Sequence, residues 1–146
     1  MGTINKDFLN CKRIALYGIS KTETKFGNSI YRELKARGYS VFPMHTDLDK
    51  FDGDNCYRSL TDISPQVDGV FINVKPEKVI GILQEVNKTG IKKVWLQQGA
   101  ESEDALKFAK ENELALSTNG CILMYLEPVS GLHSFHRWIW RLVKKY

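Results

Sequence analysis

Between Gly18 and Ser29 the sequence GISKTETKFGNS sets the hydroxyls of Ser20 and Ser29 beside the ammonium groups of Lys21 and Lys25. Hydroxyl donors and cations on a glycine-bearing loop are groups that hold an anion, phosphate above all. Before the loop, Ile14, Ala15, Leu16 and Tyr17 form a short apolar run, as expected of a buried strand in a parallel sheet. After it, Phe26, Ile30 and Leu34 recur at four-residue spacing, the apolar stripe of a helix. Strand, loop and helix N-terminus together offer backbone N–H groups to a phosphate. The glycine spacing fits neither G-x-G-x-x-G nor G-x-x-x-x-G-K-[ST]. A plain strand-to-helix turn therefore stays open beside phosphate binding.

The elements that must position this loop follow in order. Residues up to Lys12 lead in, with a turn of helix expected around Lys6 to Asn10. The first helix runs from about Gly27 to Arg37, and Gly38 stands where a left-handed cap belongs. Ser40 to Met44 is the second strand, with Pro43 near its end. His45 to Asn55 reads as a loop whose tightest turn is Asp52-Gly53. Cys56-Tyr57 reads as a brief strand or turn, and Ser59 to Ile63 as a helical turn. Gly69 to Val74 is the next buried strand. Pro76 suits the first position of a helix, and Glu77 suits its dipole. That helix turns Val79, Ile80, Leu83 and Val86 inward and stops near Gly90. Lys93 to Gln97 is a strand ended by Gly99, and Ser102 with Glu103 and Asp104 starts a helix. Leu114 to Ser117 is a short strand, after which Asn119-Gly120 turns the chain into Cys121 to Leu126.

This alternation predicts an α/β fold, a doubly wound and mainly parallel sheet with helices on both faces. Ligands of such sheets bind outside the carboxyl ends of the strands. That rule selects Ser20 to Ser29, Pro43 to Thr46, Val74 to Pro76, Gln97 to Ala100, and Asn119 to Cys121.

The 146 residues fit one domain spanning 1–146. The net charge of +4 favours a small anionic ligand and is too weak to argue for nucleic acid. Three cysteines, Cys11, Cys56 and Cys121, with no CxxC, argue against a disulfide framework or zinc site and for a reducing compartment. No apolar leader opens the chain, and no run is long enough to span a bilayer. A cytoplasmic protein without membrane attachment is the expectation.

A dinucleotide-binding half places an acidic residue at the end of its second strand. Here that end reads Phe42-Pro43-Met44-His45-Thr46, with Asp47 further on. A ligand carrying phosphate on its ribose would be repelled by such a carboxylate and suits Lys25 and Lys75 better. At this point Gly18-Ile19-Ser20 with Lys25 and Gly27, Gly38-Tyr39 with Val41 and Pro43, and Cys56-Tyr57-Arg58-Ser59-Leu60 come together. Val94 to Ala100, VWLQQGA, and Cys121 to Met124 complete the set. The chain resembles the small bacterial CoA-binding proteins, Rossmann-like domains similar to the CoA-binding domain of the succinyl-CoA synthetase alpha subunit. Thr46, Arg58 and Gln98 stand where that family often has proline.

The resemblance implies a cofactor, coenzyme A or an acyl-CoA. It implies that Gly18, Ile19, Ser20, Lys25, Phe26, Gly27 and Asn28 form the phosphate end of its site. Pro43, Met44, Val74, Lys75 and Pro76 would line the groove beyond, with Gln97, Gln98, Gly99 and Cys121 at its far side. No catalytic constellation is visible: Cys121 has no histidine near it in sequence, and there is no carboxylate pair or triad. The ligase that the domain resembles uses a phosphorylated histidine from a second domain, for which this length leaves no room. Two other readings stay open. One is an NAD(P)-binding oxidoreductase or redox sensor on the same fold. The other is an interaction module acting through the basic amphipathic helix expected at 129–146, where Trp138 and Trp140 leave room for a homodimer contact.

Overall fold

The computed structural model describes Phe8, residues 10–21, residues 26–120 and Ile122. Lys25, Cys121 and the helix expected at 129–146 lie outside the described residues. In chain order the elements begin with β1 (Arg13–Tyr17), α1 (Phe26–Ala36), β2 (Ser40–Met44), β3 (Lys50–Phe51) and β4 (Asp54–Asn55). They continue with β5 (Gly69–Ile72), α2 (Pro76–Thr89), β6 (Lys93–Gln97), α3 (Glu103–Glu111) and β7 (Ala115–Gly120). The central sheet has the order β2-β1-β5-β6-β7, and every neighbouring pair is parallel. The fold is α/β, doubly wound and Rossmann-like.

Side chains alternate across each strand, so each face of the sheet receives every second residue. Ile14, Leu16, Phe71 and Trp95 pack with Phe26, Ile30, Tyr31 and Leu34 of α1 on one face. Ala15, Val70, Ile72, Val94 and Leu96 pack on the other with Val79, Leu83 and Val86 of α2 and Ala105 and Ala109 of α3. Each fully buried large side chain contributes about 1.5–3 kcal/mol. The sheet is thereby fixed from both sides, and its carboxyl edge is a rigid platform.

The helix ends are encoded locally. After α1 the Tyr39 N–H reaches the Leu34 carbonyl at 3.1 Å and the Gly38 N–H reaches the Lys35 carbonyl at 3.0 Å. This is a Schellman cap, and it needs the φ of +93° that Gly38 adopts. Pro76 occupies the first turn of α2. The Ser102 hydroxyl accepts the Ala105 N–H at 3.1 Å to open α3.

Three expectations need correction. The strand expected over Gly69 to Val74 ends at Ile72, although the Asn73 N–H still donates to the Tyr17 carbonyl at 2.8 Å. Asn119-Gly120 is not a turn but the end of β7, where Gly120 pairs with Gln97 across a register shift in β6. An Asn-Gly pair makes a hairpin only when an antiparallel strand follows; here parallel pairing to β6 prevails. The segment expected as a plain loop from His45 to Asn55 contains the β3–β4 hairpin, turning at Asp52 and Gly53 with φ of 50° and 82°.

That hairpin is strapped to α1. The Arg32 guanidinium donates to Asp52 at 2.7 and 3.1 Å and lies over the Phe51 ring, while Lys35 and the Tyr31 hydroxyl both bond Asp54. Hydrogen bonding from Arg32 lowers the Asp52 carboxyl below its ordinary range, and Lys35 and then Tyr31 do the same to Asp54. Groups with lowered folded values contribute stability that is complete above the ordinary carboxylate range and is lost as pH falls through the lowered value. The stability difference between the protein and Asp52→Asn is therefore expected to shrink as pH falls from about 5 to about 2 in denaturant titrations. A difference independent of pH would show that the strap carries no charge-dependent stability.

Candidate functional site

The chain runs outward from β1 to β2 and returns across β1 to β5, so the winding reverses between β1 and β5. Tyr17 and Ile72, register partners at the carboxyl ends of these strands, mark the switch point. Gly18 follows Tyr17 with φ of +134°, and a Cβ there would stand 2.6 Å from the Asn73 carbonyl oxygen. A Cβ on Gly27 would stand 2.0 Å from the Gly18 carbonyl oxygen. Backbone thus touches backbone where α1 begins.

Asn28, fully buried, holds the loop from inside. Its Oδ1 accepts the Ser20 N–H at 2.8 Å and its Nδ2 donates to the Ser20 carbonyl at 2.9 Å. The Ser20 amide is thereby committed to the protein. Sequence reasoning placed Asn28 among ligand contacts; the structure places it behind the loop, as a positioning residue.

Over these strand ends lies a groove of two adjoining hollows of about 450 Å³ each, which share Gly18, Ile19, Val74 and Lys78. The first hollow sits above the starts of α1 and α2. Of the residues expected at a binding site, Gly18, Ile19, Ser20, Phe26, Gly27, Val74, Lys75, Pro76, Gln98 and Gly99 line it. The second hollow lies toward β2 and is lined by Met44 of the expected residues. Pro43 is buried in β2, where its carbonyl accepts the Tyr57 N–H at 2.9 Å. Gln97 is 2% exposed, and its Oε1 accepts the Ile122 N–H at 3.1 Å, joining the end of β6 to the chain beyond β7.

Beside His45 and Thr46, from the strand end that the rule for such sheets selects, the second hollow contains residues that the sequence did not single out as ligand contacts: Tyr17, Arg58, Lys78, Ile82 and Glu85. The signal was present for the last three, which fall at four- and three-residue steps along one face of α2. His45 Nδ1 accepts the N–H groups of Asp47 and Leu48 at 2.9 and 3.0 Å. With Nδ1 an acceptor, the ring proton lies on Nε2. Arg58 ties the same loop, donating from Nε to the Thr46 carbonyl at 2.9 Å and from Nη2 to Asp49 at 3.2 Å.

The Tyr17 hydroxyl donates to Glu85 Oε1 at 3.4 Å, and the Leu60 N–H donates to the same oxygen. Burial, then the Glu85 charge and this bond, push the Tyr17 hydroxyl far above its ordinary value, so it stays protonated. Neither Lys75 nor Lys78 is ion-paired among the described residues, which leaves both ammonium groups for a ligand. The arrangement suits a phosphorylated ligand: two helix starts and lysines at one hollow, apolar walls with polar points at the other. Among the described residues no three acidic, His or Cys side chains could hold a metal ion, and no helix is long and apolar enough to cross a membrane.

Comparison with known proteins agrees with this geometry. A family model for the CoA binding domain matches residues 12–127. The chain belongs to the CoA-binding domain family. Within reach of this family it is 27% identical over 111 residues to the uncharacterised protein YneT of Bacillus subtilis, covering 76% of this chain and 82% of that protein. It is 35% identical over 81 residues to an ADP-forming acetate–CoA ligase of Methanocaldococcus jannaschii, a match that covers 56% of this chain but 12% of the ligase. Among solved structures, a conserved hypothetical protein from Pyrococcus furiosus is similar with a TM-score of 0.75 and 34% identity, covering 79% of this chain and 99% of that one.

The backbone contact at Gly27 gives a direct test of how this family member builds its loop. Gly27→Ala gains helix propensity but forces a methyl into the Gly18 carbonyl, and overpacking of this kind costs about 1–3 kcal/mol. Denaturant unfolding is expected to show a net loss of stability. A neutral or stabilising result would mean that α1 shifts freely off the strand end.

Proposed function

We propose that this chain binds coenzyme A, free or acylated, in the groove across the carboxyl ends of β2, β1, β5 and β6. The reading rests chiefly on one observation: the groove at the switch point joins a phosphate-suited hollow to an apolar one, in a chain of the CoA-binding domain family. The pyrophosphate lies in the first hollow, against the start of α1 at Phe26 and Gly27, with Lys75 and Lys78 as counter-charges. Ser20 contributes no amide, because Asn28 already holds it. The rest of the cofactor extends through the shared wall of Ile19 and Val74. The ligases among the relatives act on acetate and CoA by name, and this chain corresponds to a small part of such a ligase; binding, rather than their whole reaction, is what its residues support. We read it as a cytoplasmic cofactor-binding domain.

An NAD(P) cofactor is the competing occupant. The residues after β2 are His45 and Thr46, so the acidic contact to a ribose hydroxyl that NAD sites use is missing there. Calorimetric titration with CoA and with NADH separates the two. Saturable binding is expected for CoA and none for NADH, and Lys78→Ala should weaken CoA roughly tenfold, the effect of one lost charge-assisted contact. Binding of NADH with CoA silent, or CoA affinity unchanged in Lys78→Ala, would overturn the assignment.

A further inference from the structure

One wall of the second hollow is carried by a hairpin that is anchored elsewhere. His45, Thr46 and Arg58, which line this hollow, are the two roots of the arm that bears β3 and β4. The roots are joined across the arm. The His45 N–H donates to the Tyr57 carbonyl at 3.0 Å, and Arg58 donates to the Thr46 carbonyl and to Asp49. Further out, the Cys56 N–H donates to the Asp49 carbonyl at 2.9 Å, and Lys50 and Phe51 pair with Asn55 and Asp54. A continuous ladder thus runs from the groove wall to the turn at Asp52 and Gly53.

The far end of the arm is fixed to α1. Arg32 holds Asp52 through two nitrogens, Lys35 and Tyr31 hold Asp54, and the Phe51 ring meets Tyr31 edge-on at 5.0 Å. None of Tyr31, Arg32, Lys35, Asp52 and Asp54 lines either hollow. Yet α1 begins at Phe26 and Gly27, in the wall of the first hollow. One helix therefore carries the phosphate-suited end of the groove and, about two turns on, the anchor of the opposite wall. We propose that the Arg32–Asp52 contact is a strap that keeps the hairpin where the ligand needs it, so that residues outside the groove set its affinity. Arg32 and Asp52 are positioning residues that act through His45, Thr46 and Arg58. The inference rests on the proposed cofactor reading and adds a conformational control to it. A hairpin tied at its tip has two arrangements, strapped and free. A ligand that prefers the strapped one must in turn hold the strap closed.

Asp52→Asn gives the decisive sign. Arg32 is exposed, and Asp52 has a φ of 50° that asparagine also adopts, so variants at both positions keep the fold. If only long-range charge mattered, removing a carboxylate would tighten the binding of an anionic ligand. Cutting the strap should instead weaken CoA roughly fivefold, the lower end of coupling between sites. By calorimetry Arg32→Gln should weaken CoA as much, and the double variant no more than either single, since all three lose the same bond. CoA affinity unchanged or tightened in Asp52→Asn overturns the proposal, as do losses that add in the double variant. Reciprocity supplies a second readout, amide hydrogen exchange resolved by NMR. Saturating CoA should slow exchange of the Cys56 amide in the wild-type protein by at least the same factor. Exchange at Cys56 that CoA leaves unaltered overturns the strap as well. If CoA binds and Asp52→Asn changes nothing, only this inference falls. If CoA fails to bind the wild-type protein, the cofactor reading falls and takes this inference with it.

Discussion

The contact on which the groove depends is the one between two backbones, where Gly27 at the start of α1 rests against the carbonyl of Gly18 at the end of β1. No side chain fits there: a Cβ on Gly27 would fall 2.0 Å from the Gly18 oxygen, and one on Gly18 would fall 2.6 Å from the Asn73 oxygen. Because both residues are glycine, α1 can begin directly over the switch point. Asn28 then fixes the loop by taking both polar groups of the Ser20 backbone. The described part of this surface, Gly18 to Ser20 and the start of α1, is thereby held by the protein's own contacts.

What holds that surface in place is the two-sided core. Trp95, Phe71, Ile14 and Leu16 are fully buried beneath α1, and Ile72 and Leu96 are fully buried with Leu83 of α2 on the other face. The strand ends cannot shift independently, because each is paired to its neighbours and pressed between helices. Loops that leave such an edge inherit its rigidity at their roots. The same packing explains why Pro43 and Gln97, though at strand ends, turn to internal work: one supplies a carbonyl to Tyr57, the other an amide oxygen to Ile122.

Charge divides the groove into two environments. Helix starts and unpaired lysines favour phosphate on one side, where the partial positive charge of the N-terminal amides adds to that of the ammonium groups. On the other side apolar and charged groups line the hollow together, Ile19, Met44, Val74 and Ile82 beside His45, Arg58, Lys78 and Glu85.

The sequence by itself determined what a few neighbouring residues can settle. The apolar run of β1, the proline that opens α2, the Ser102 cap and the glycine that closes α1 each act within one turn of chain, and each was legible. So was the strand-to-helix junction at Gly18 and Gly27, because its glycines lie within ten residues of one another. Tertiary structure alone decided which strand-end residues line the groove and which face the core. Asn28 and Gln97 are polar residues at the right places in sequence, yet both are buried: Asn28 bonds the Ser20 backbone eight residues back, and Gln97 bonds Ile122 across the fold. The second hollow was legible only in part. The strand end at Pro43 to Thr46 and the α2 face of Lys78, Ile82 and Glu85 are sequence patterns. Tyr17 and Glu85, however, are 68 residues apart, and only the crossover to β5 and the packing of α2 bring them together. Asn119-Gly120 carries a turn signal that the β6 register overrides, since ladder pairing is a non-local interaction that no dipeptide can report.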